Sequence, residues 1–83
     1  MLLDENWAIS SERIREFFRS QRDVTESKSI FFYKNCRITL TPLPPSQTGI
    51  FAISRTQILM DGPETEVREI HKRFFLRFLS AGG

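Results

Sequence analysis

The clearest strand pattern in the chain is IFFYKNCRITLT, which spans residues 30–41. In its second half Cys36, Ile38 and Leu40 alternate with polar residues, a period of two that predicts a β-strand buried on one face. The first half, residues 30–33, is apolar throughout, which is typical of a strand covered on both faces. The two residues between the halves form either a tight turn or part of one long strand.

A helix is predicted on each side of this stretch. The N-terminal helix begins at Ser10 or Ser11, because a serine hydroxyl can accept hydrogen bonds from the free amides of the first turn. Apolar residues at helical spacing carry it to about Gln21. The C-terminal helix begins at residues 61–64, where a capping acid and a proline precede a Glu, and it runs to about Leu79 or Ser80 and ends before Gly82.

The remaining segments are predicted to be loops or further strands. Residues 22–29 are polar and predict a loop, and residues 41–49 predict another, since three prolines remove amide donors there. Residues 50–60 are either one bent strand or two short ones.

These elements give the order α-β-β-β-α and an α+β class. We expect a small antiparallel sheet of about three strands with the two helices packed on it. The 83 residues form one domain, residues 1–83, with residues 1–9 expected to fray and residues 80–83 forming a tail.

The cysteine content and hydropathy bear on the compartment. Cys36 is the only cysteine, so the chain holds no disulfide framework and fits a reducing compartment, which we take to be the cytoplasm. No uninterrupted apolar run is longer than the four residues of 30–33, which is too short for a membrane span, and the N-terminus lacks the basic start of a signal peptide.

Reactive groups are too few for an enzyme. The only histidine, His71, lies on the apolar stripe of the last helix and is interpreted as a structural residue, and a catalytic pair with Cys36 is disfavoured. One Cys and one His do not make a zinc site, and no glycine-rich phosphate loop occurs. We therefore expect a non-enzymatic protein with neither a metal nor a cofactor.

The aromatic residues indicate an interaction surface. Three Phe-Phe pairs occur, and a pair on a strand must point to both faces of its sheet. If the helices cover one face, Phe31 and Tyr33 face water, and Leu76 lies opposite the main apolar stripe of its helix. We expect these three to contact a partner protein, most simply a second copy in a homodimer, with a basic rim of Lys34, Arg37 and Arg55. The alternative is that the helices sandwich the sheet and everything is internal.

Nucleic acid is a second candidate partner. The net charge is only +2, but residues 27–60 carry four basic residues and no acid. A basic strip of Arg15, Arg19 and Arg22 on the first helix fits an RNA-binding module, although Glu12 and Glu16 favour a salt-bridged face instead. The α-β-β-β-α order resembles that of double-stranded-RNA-binding domains. It departs from that family at Glu64, Glu66 and Glu69, where phosphate-binding lysines would be expected.

The last two residues suggest a third function. Gly82 and Gly83 resemble the Gly-Gly tail of ubiquitin-like sulfur carriers, which implies a tail that is adenylated and converted to a thiocarboxylate. The rest of the chain departs from that family, because those proteins begin with a β-hairpin and lead into the tail with a strand, whereas residues 74–79 are predicted to be helical.

Overall fold

Five strands and two helices make up the computed structural model, which describes residues 1–79 except for the side chain of Thr48. They are β1 (Leu2–Trp7), α1 (Ser11–Ser20), β2 (Val24–Ser27), β3 (Ile30–Tyr33), β4 (Cys36–Thr48), β5 (Phe51–Asp61) and α2 (Glu64–Leu79). The predicted α+β class and the antiparallel sheet are confirmed. The predicted count of about three strands is wrong, because β1 and β2 extend the sheet to five. The double-stranded-RNA-binding order therefore does not apply.

The strand order across the sheet is β1-β5-β4-β3-β2, and every neighbouring pair is antiparallel. Residues 1–9, expected to fray, instead supply the edge strand β1, which pairs with β5 from Leu2 to Trp7. The N-terminal ammonium of Met1 also donates a hydrogen bond of 2.8 Å to the carbonyl of Gly62. The start of the chain is thus fastened beside the start of α2.

The helices lie where the sequence predicts them. The hydroxyl of Ser10 accepts a hydrogen bond from the amide of Arg13 at 3.4 Å and caps α1. Just before α2, the backbone at Gly62 passes close to the β3–β4 turn. A Cβ atom at that position would lie 2.7 Å from the carbonyl oxygen of Asn35, so a larger residue would displace backbone.

The polar segment 22–29, predicted to be a loop, contains β2 and its turn. β2 is an edge strand whose side chains are mostly exposed, so it lacks the apolar alternation that marks a strand. The turn into β3 places Lys28 and Ser29 at φ values of 52° and 68°, as a type I′ turn requires. Neither residue is the Asn or Gly that would have signalled this turn.

Residues 30–41 contain a hairpin formed by β3 and the start of β4. Tyr33 pairs with Cys36, so Lys34 and Asn35 form a two-residue turn between β3 and β4. Lys34 has a φ of 54°, in the left-handed region.

The proline-rich segment 41–49 is not the predicted loop, because β4 continues to Thr48 and pairs with β5. The pairing of β4 with β3 extends only to Ile38, so from there outward one edge of β4 has no partner strand among the described residues. Prolines are tolerated on such an edge. The register shifts between Leu43 and Ser46, where two of the prolines lie. β5 is one continuous strand.

Both helices pack against the same face of the sheet. They bury fourteen apolar side chains, which come from both helices, from strands β3 to β5 and from Ile9. The opposite face is covered by neither helix over the described residues. We call it the uncovered face, and its central strands present Ile30, Phe32, Arg37, Thr39, Gln57 and Leu59.

Candidate interaction surface

Two of the three predicted contact residues lie in the core. Phe31 and Tyr33 are 0 % and 1 % exposed, so the expectation that they face water is wrong. The physical reason is the direction of alternation along β3, which points these two side chains towards the helices and points Ile30 and Phe32 towards the uncovered face. The run of four apolar residues does not by itself distinguish the two directions, but the two-residue turn places Tyr33 opposite Cys36 and hence on the buried face.

Tyr33 is held by polar contacts with α2. Its hydroxyl donates a hydrogen bond of 3.1 Å to Glu69, and the guanidinium of Arg73 lies 5.1 Å from its ring centroid. Arg73 is itself 2.8 Å from a carboxylate oxygen of Asp23, and this hydrogen bond lowers the pKa of Asp23. Tyr33 therefore joins the sheet to α2.

Leu76, the third predicted contact, is on the outer side of α2 with 59 % of its surface exposed. Leu79 and Phe75 are exposed on the same helix. This part of the expectation agrees with the placement of the residue.

The basic rim is only partly assembled. Lys34 and Arg37 line one shallow depression of about 420 Å³ together with Phe32, Asn35 and Asp61, whereas Arg55 lies at a separate, smaller one. The nitrogen of Lys34 is 3.7 Å from Glu69. The Tyr33 side chain and the Glu69 carboxylate raise the pKa of Lys34, so the ammonium group stays charged.

The arginine strip of α1 is partly neutralised. Arg19 binds both carboxylate oxygens of Glu26 on β2, at 2.9 and 3.1 Å, and this hydrogen bonding lowers the pKa of Glu26. Arg15 donates to the carbonyl of Ser29 at 3.4 Å, and Arg22 is exposed. The acid that pairs with Arg19 thus comes from β2, whereas the sequence pointed to Glu12 and Glu16.

The surface that sequence reasoning missed is the outer half of the β4–β5 hairpin, residues 43–55, which we call the arm. Its strands extend beyond both neighbouring strands, since β1 ends opposite Thr56. Three large apolar side chains at its tip are exposed: Ile50 by 92 %, Phe51 by 68 % and Ile53 by 43 %. With the arm, the radius of gyration is 12.9 Å, against about 12 Å for a compact chain of this length.

The pairing register places the arm and the uncovered face on one side. Phe51 and Ile53 are separated from Gln57 and Leu59 by even numbers of residues along the continuous strand β5, so all four point to the same side. The apolar side of the arm is therefore an extension of the uncovered face.

The two reactive side chains are both engaged inside the fold. Cys36 is buried, and burial together with the nearby charges of Glu66 and Asp61 raises the pKa of its thiol. The Nε2 atom of His71 lies 2.8 Å from Glu5, which agrees with a structural histidine. Among residues 1–79, no group of three or more His, Cys, Asp or Glu side chains is arranged to hold a metal ion.

Two expectations from the sequence remain, one on a membrane span and one on the C-terminal glycines. No helix within the described part of the chain is both long and apolar enough to cross a membrane. Gly82 and Gly83, the residues that resemble a sulfur-carrier tail, lie outside the described residues.

Comparison of the chain with protein-family models, curated proteins and solved structures yields no match.

Proposed function

We propose that this protein is a non-enzymatic interaction module that associates with a second copy of itself. The observation that supports this most directly is the arm, which projects from the core and exposes Ile50, Phe51 and Ile53. Isolated two-stranded ribbons are marginal in water. A partner that covered these side chains would gain about 1.5–3 kcal/mol for each one fully buried.

The chemistry of the fold supports a role without catalysis. A raised pKa keeps the Cys36 thiol protonated at neutral pH, and the thiol is not the reactive form of cysteine. His71 is held against Glu5 on the packed side of α2. As part of the same proposal we place the protein in the cytoplasm, because its single cysteine has no disulfide partner in the chain.

The second proposed contact surface is the outer side of α2 around Leu76. We expect it to contribute less than the arm, because Leu76 stands between Lys72, Arg73 and Arg77, whose charges would have to be desolvated together with it.

Sedimentation equilibrium tests the proposal. We expect a reversible dimer between about 10 μM and about 1 mM, the range in which small interfaces dissociate. Phe51→Ser removes one apolar contact from each copy, and at about 0.7 kcal/mol for each contact the total loss of about 1.4 kcal/mol should raise the dissociation constant about tenfold. Leu76→Ser should raise it less, and Thr65→Ser, a small change at an exposed position of α2, is the control. A monomer at every concentration would contradict self-association.

The depression on the uncovered face favours a second candidate function, binding of single-stranded nucleic acid. Phe32 offers a ring on which a base can stack, and Lys34 and Arg37 offer charges to phosphates. Fluorescence anisotropy with a short single-stranded RNA should then show binding that weakens steeply with salt and is weakened by Arg37→Glu. Arg22→Glu, in the turn just after α1, changes the other basic surface and should leave this binding unchanged. Absence of binding at low salt would exclude this candidate.

A further inference from the structure

The two edges of the arm differ in how well they are protected. The β4 edge carries Pro42, Pro44 and Pro45, and prolines obstruct the addition of another strand. On the β5 side, β1 ends opposite Thr56, so no described strand pairs with the outer edge of residues 51–55. This edge contains no proline, and its one charged residue is Arg55 at the inner end. It is the edge that remains open to another strand.

We propose that two copies of the chain pair antiparallel through this β5 edge, with Ala52 of one copy opposite Ala52 of the other. The two sheets then join into one, and strand addition of this kind supplies main-chain hydrogen bonds as well as side-chain contacts. This inference rests on the proposed self-association and specifies where it occurs. A two-fold axis through Ala52 makes the interface isologous and closed, so that association stops at a dimer.

The side chains favour this register. An axis at Ala52 places Phe51 of each copy opposite Ile53 of the other, giving two aromatic–β-branched pairs, which are among the favourable cross-strand combinations. Shifting the axis to Ile53 would place Phe51 opposite Arg55 instead. In the Ala52 register Arg55 faces Gly49, and no two like charges oppose each other.

The charge distribution favours a second copy as the occupant. The chain carries no charged residue from Ile38 to Ser54, so two copies can approach through this segment without repelling each other. A strongly charged partner would find no complementary charge there. Phe51 of one copy, by contrast, is complementary to Ile53 of the other.

Disulfide trapping tests the register. In a Cys36→Ser background, Ala52→Cys places two thiols on the axis, where directly opposed residues have Cα atoms about 4.5–5.5 Å apart, within disulfide range. The matched control is Ser54→Cys, which is exposed on the same strand and face but would lie roughly 13 Å from its copy. We expect oxidised dimer at least tenfold faster for Ala52→Cys, and equal rates for the two variants in urea.

A charge variant provides a second readout. Ala52→Lys would place two ammonium groups opposite each other and should raise the dimer dissociation constant by tenfold or more, with the effect reduced by salt. The control is Gln47→Lys, since Gln47 pairs with Ala52 on the neighbouring strand but lies away from the β5 edge.

The outcomes separate the two proposals. If the unmodified protein dimerises but Ala52→Cys crosslinks no faster than Ser54→Cys, the β5 pairing is wrong and self-association stands. If the unmodified protein remains a monomer at all concentrations, both are wrong.

Discussion

The inner and outer halves of the β4–β5 hairpin are built from the same two strands and have opposite environments. In the inner half Thr56, Ile58 and Met60 are fully buried under the helices, and β3 and β1 flank the pair. In the outer half, the arm, the same strands continue without flanking strands, and Phe51 and Ile53 are exposed. Pairing between β4 and β5 is common to both halves, so the two halves differ in burial and in the flanking strands that pair with their outer edges.

The buried half is further stabilised by a polar contact of a side chain with the connection between β1 and α1. Thr56, at the boundary, donates a hydrogen bond of 2.7 Å from its hydroxyl to the carbonyl of Ile9, and this contact is buried. A buried carbonyl without such a donor would cost about 1–3 kcal/mol. Thr56 therefore satisfies the Ile9 carbonyl, in the connection between β1 and α1, at the point where the covered part of the hairpin ends.

The largest expected effect contrasts one phenylalanine from each region. Phe74 of α2 is fully buried and lies edge-on to Trp7 with ring centroids 4.9 Å apart. Phe74→Ala should lower the free energy of unfolding by about 3–5 kcal/mol, the usual cost of truncating a buried aromatic residue. Phe51→Ala in the arm should change it by less than about 0.5 kcal/mol in the monomer. Urea unfolding followed by Trp7 fluorescence at low protein concentration measures both.

Should Phe74→Ala not fold at all, Phe74→Leu gives the same comparison with a smaller cavity. Comparable losses in the free energy of unfolding for the core and arm variants would mean that the arm is part of the cooperative core.

The covered region was the more predictable from sequence. The bounds of α1 and α2 follow from capping residues and apolar spacing, and the β3–β4 region follows from the alternation of Cys36, Ile38 and Leu40. The face to which Phe31 and Tyr33 point could not be predicted while residues 34–35 could be either a turn or part of one strand, because β3 is apolar at every position. In the structure Phe31 packs against Phe18 of α1, and Tyr33 contacts Glu69 and Arg73 of α2.

The edge strand β1 and the outer part of β4 could not be recognised from the sequence, for different reasons. β1 presents Leu3, Glu5 and Trp7 to the helices, and an inward carboxylate breaks the apolar alternation that would have revealed the strand. Prolines exclude a strand only where both of its edges must donate backbone hydrogen bonds to neighbouring strands. The continuation of β4 into the arm could therefore not be deduced before it was known that β3 does not flank it there. The arm, and with it the proposed interface, followed from the topology.

The turns of the β4–β5 and β2–β3 hairpins give a second comparison, with an intermediate expected effect. In the arm, Gly49 supplies the turn at a φ of 63°, whereas Ser29 adopts a φ of 68° between β2 and β3. The left-handed conformation costs a residue with a Cβ atom about 1 kcal/mol or more. Ser29→Gly should therefore raise the free energy of unfolding by about 1 kcal/mol. Ser27→Gly, within β2, should lower it by about 0.5–1 kcal/mol. A loss of stability in both variants would contradict the proposed strain.

The weakest predicted effect concerns the contact between Glu5 of β1 and His71 of α2. Burial acts to raise the pKa of Glu5, but hydrogen bonds from Trp7 and His71, and the charge of His71, outweigh it and lower the pKa below 4.5. A lowered pKa stabilises the fold above the unfolded-state pKa, and this contribution disappears as the pH falls through the folded-state value. Because the Glu5 side chain is 36 % exposed, solvent should limit it to below about 1 kcal/mol.

Glu5→Gln tests this contact. At pH 7 the variant should be slightly less stable than the unmodified protein, and the difference should vanish as the pH falls through the lowered pKa of Glu5. The acids outside this contact, including Asp23 and Glu26, titrate in both proteins and cancel in the difference. Asp4→Asn, on the same strand but pointing to the uncovered face, should show no such convergence. A difference that stayed constant from pH 7 to pH 3 would mean that Glu5 stabilises β1 through packing and not through its charge.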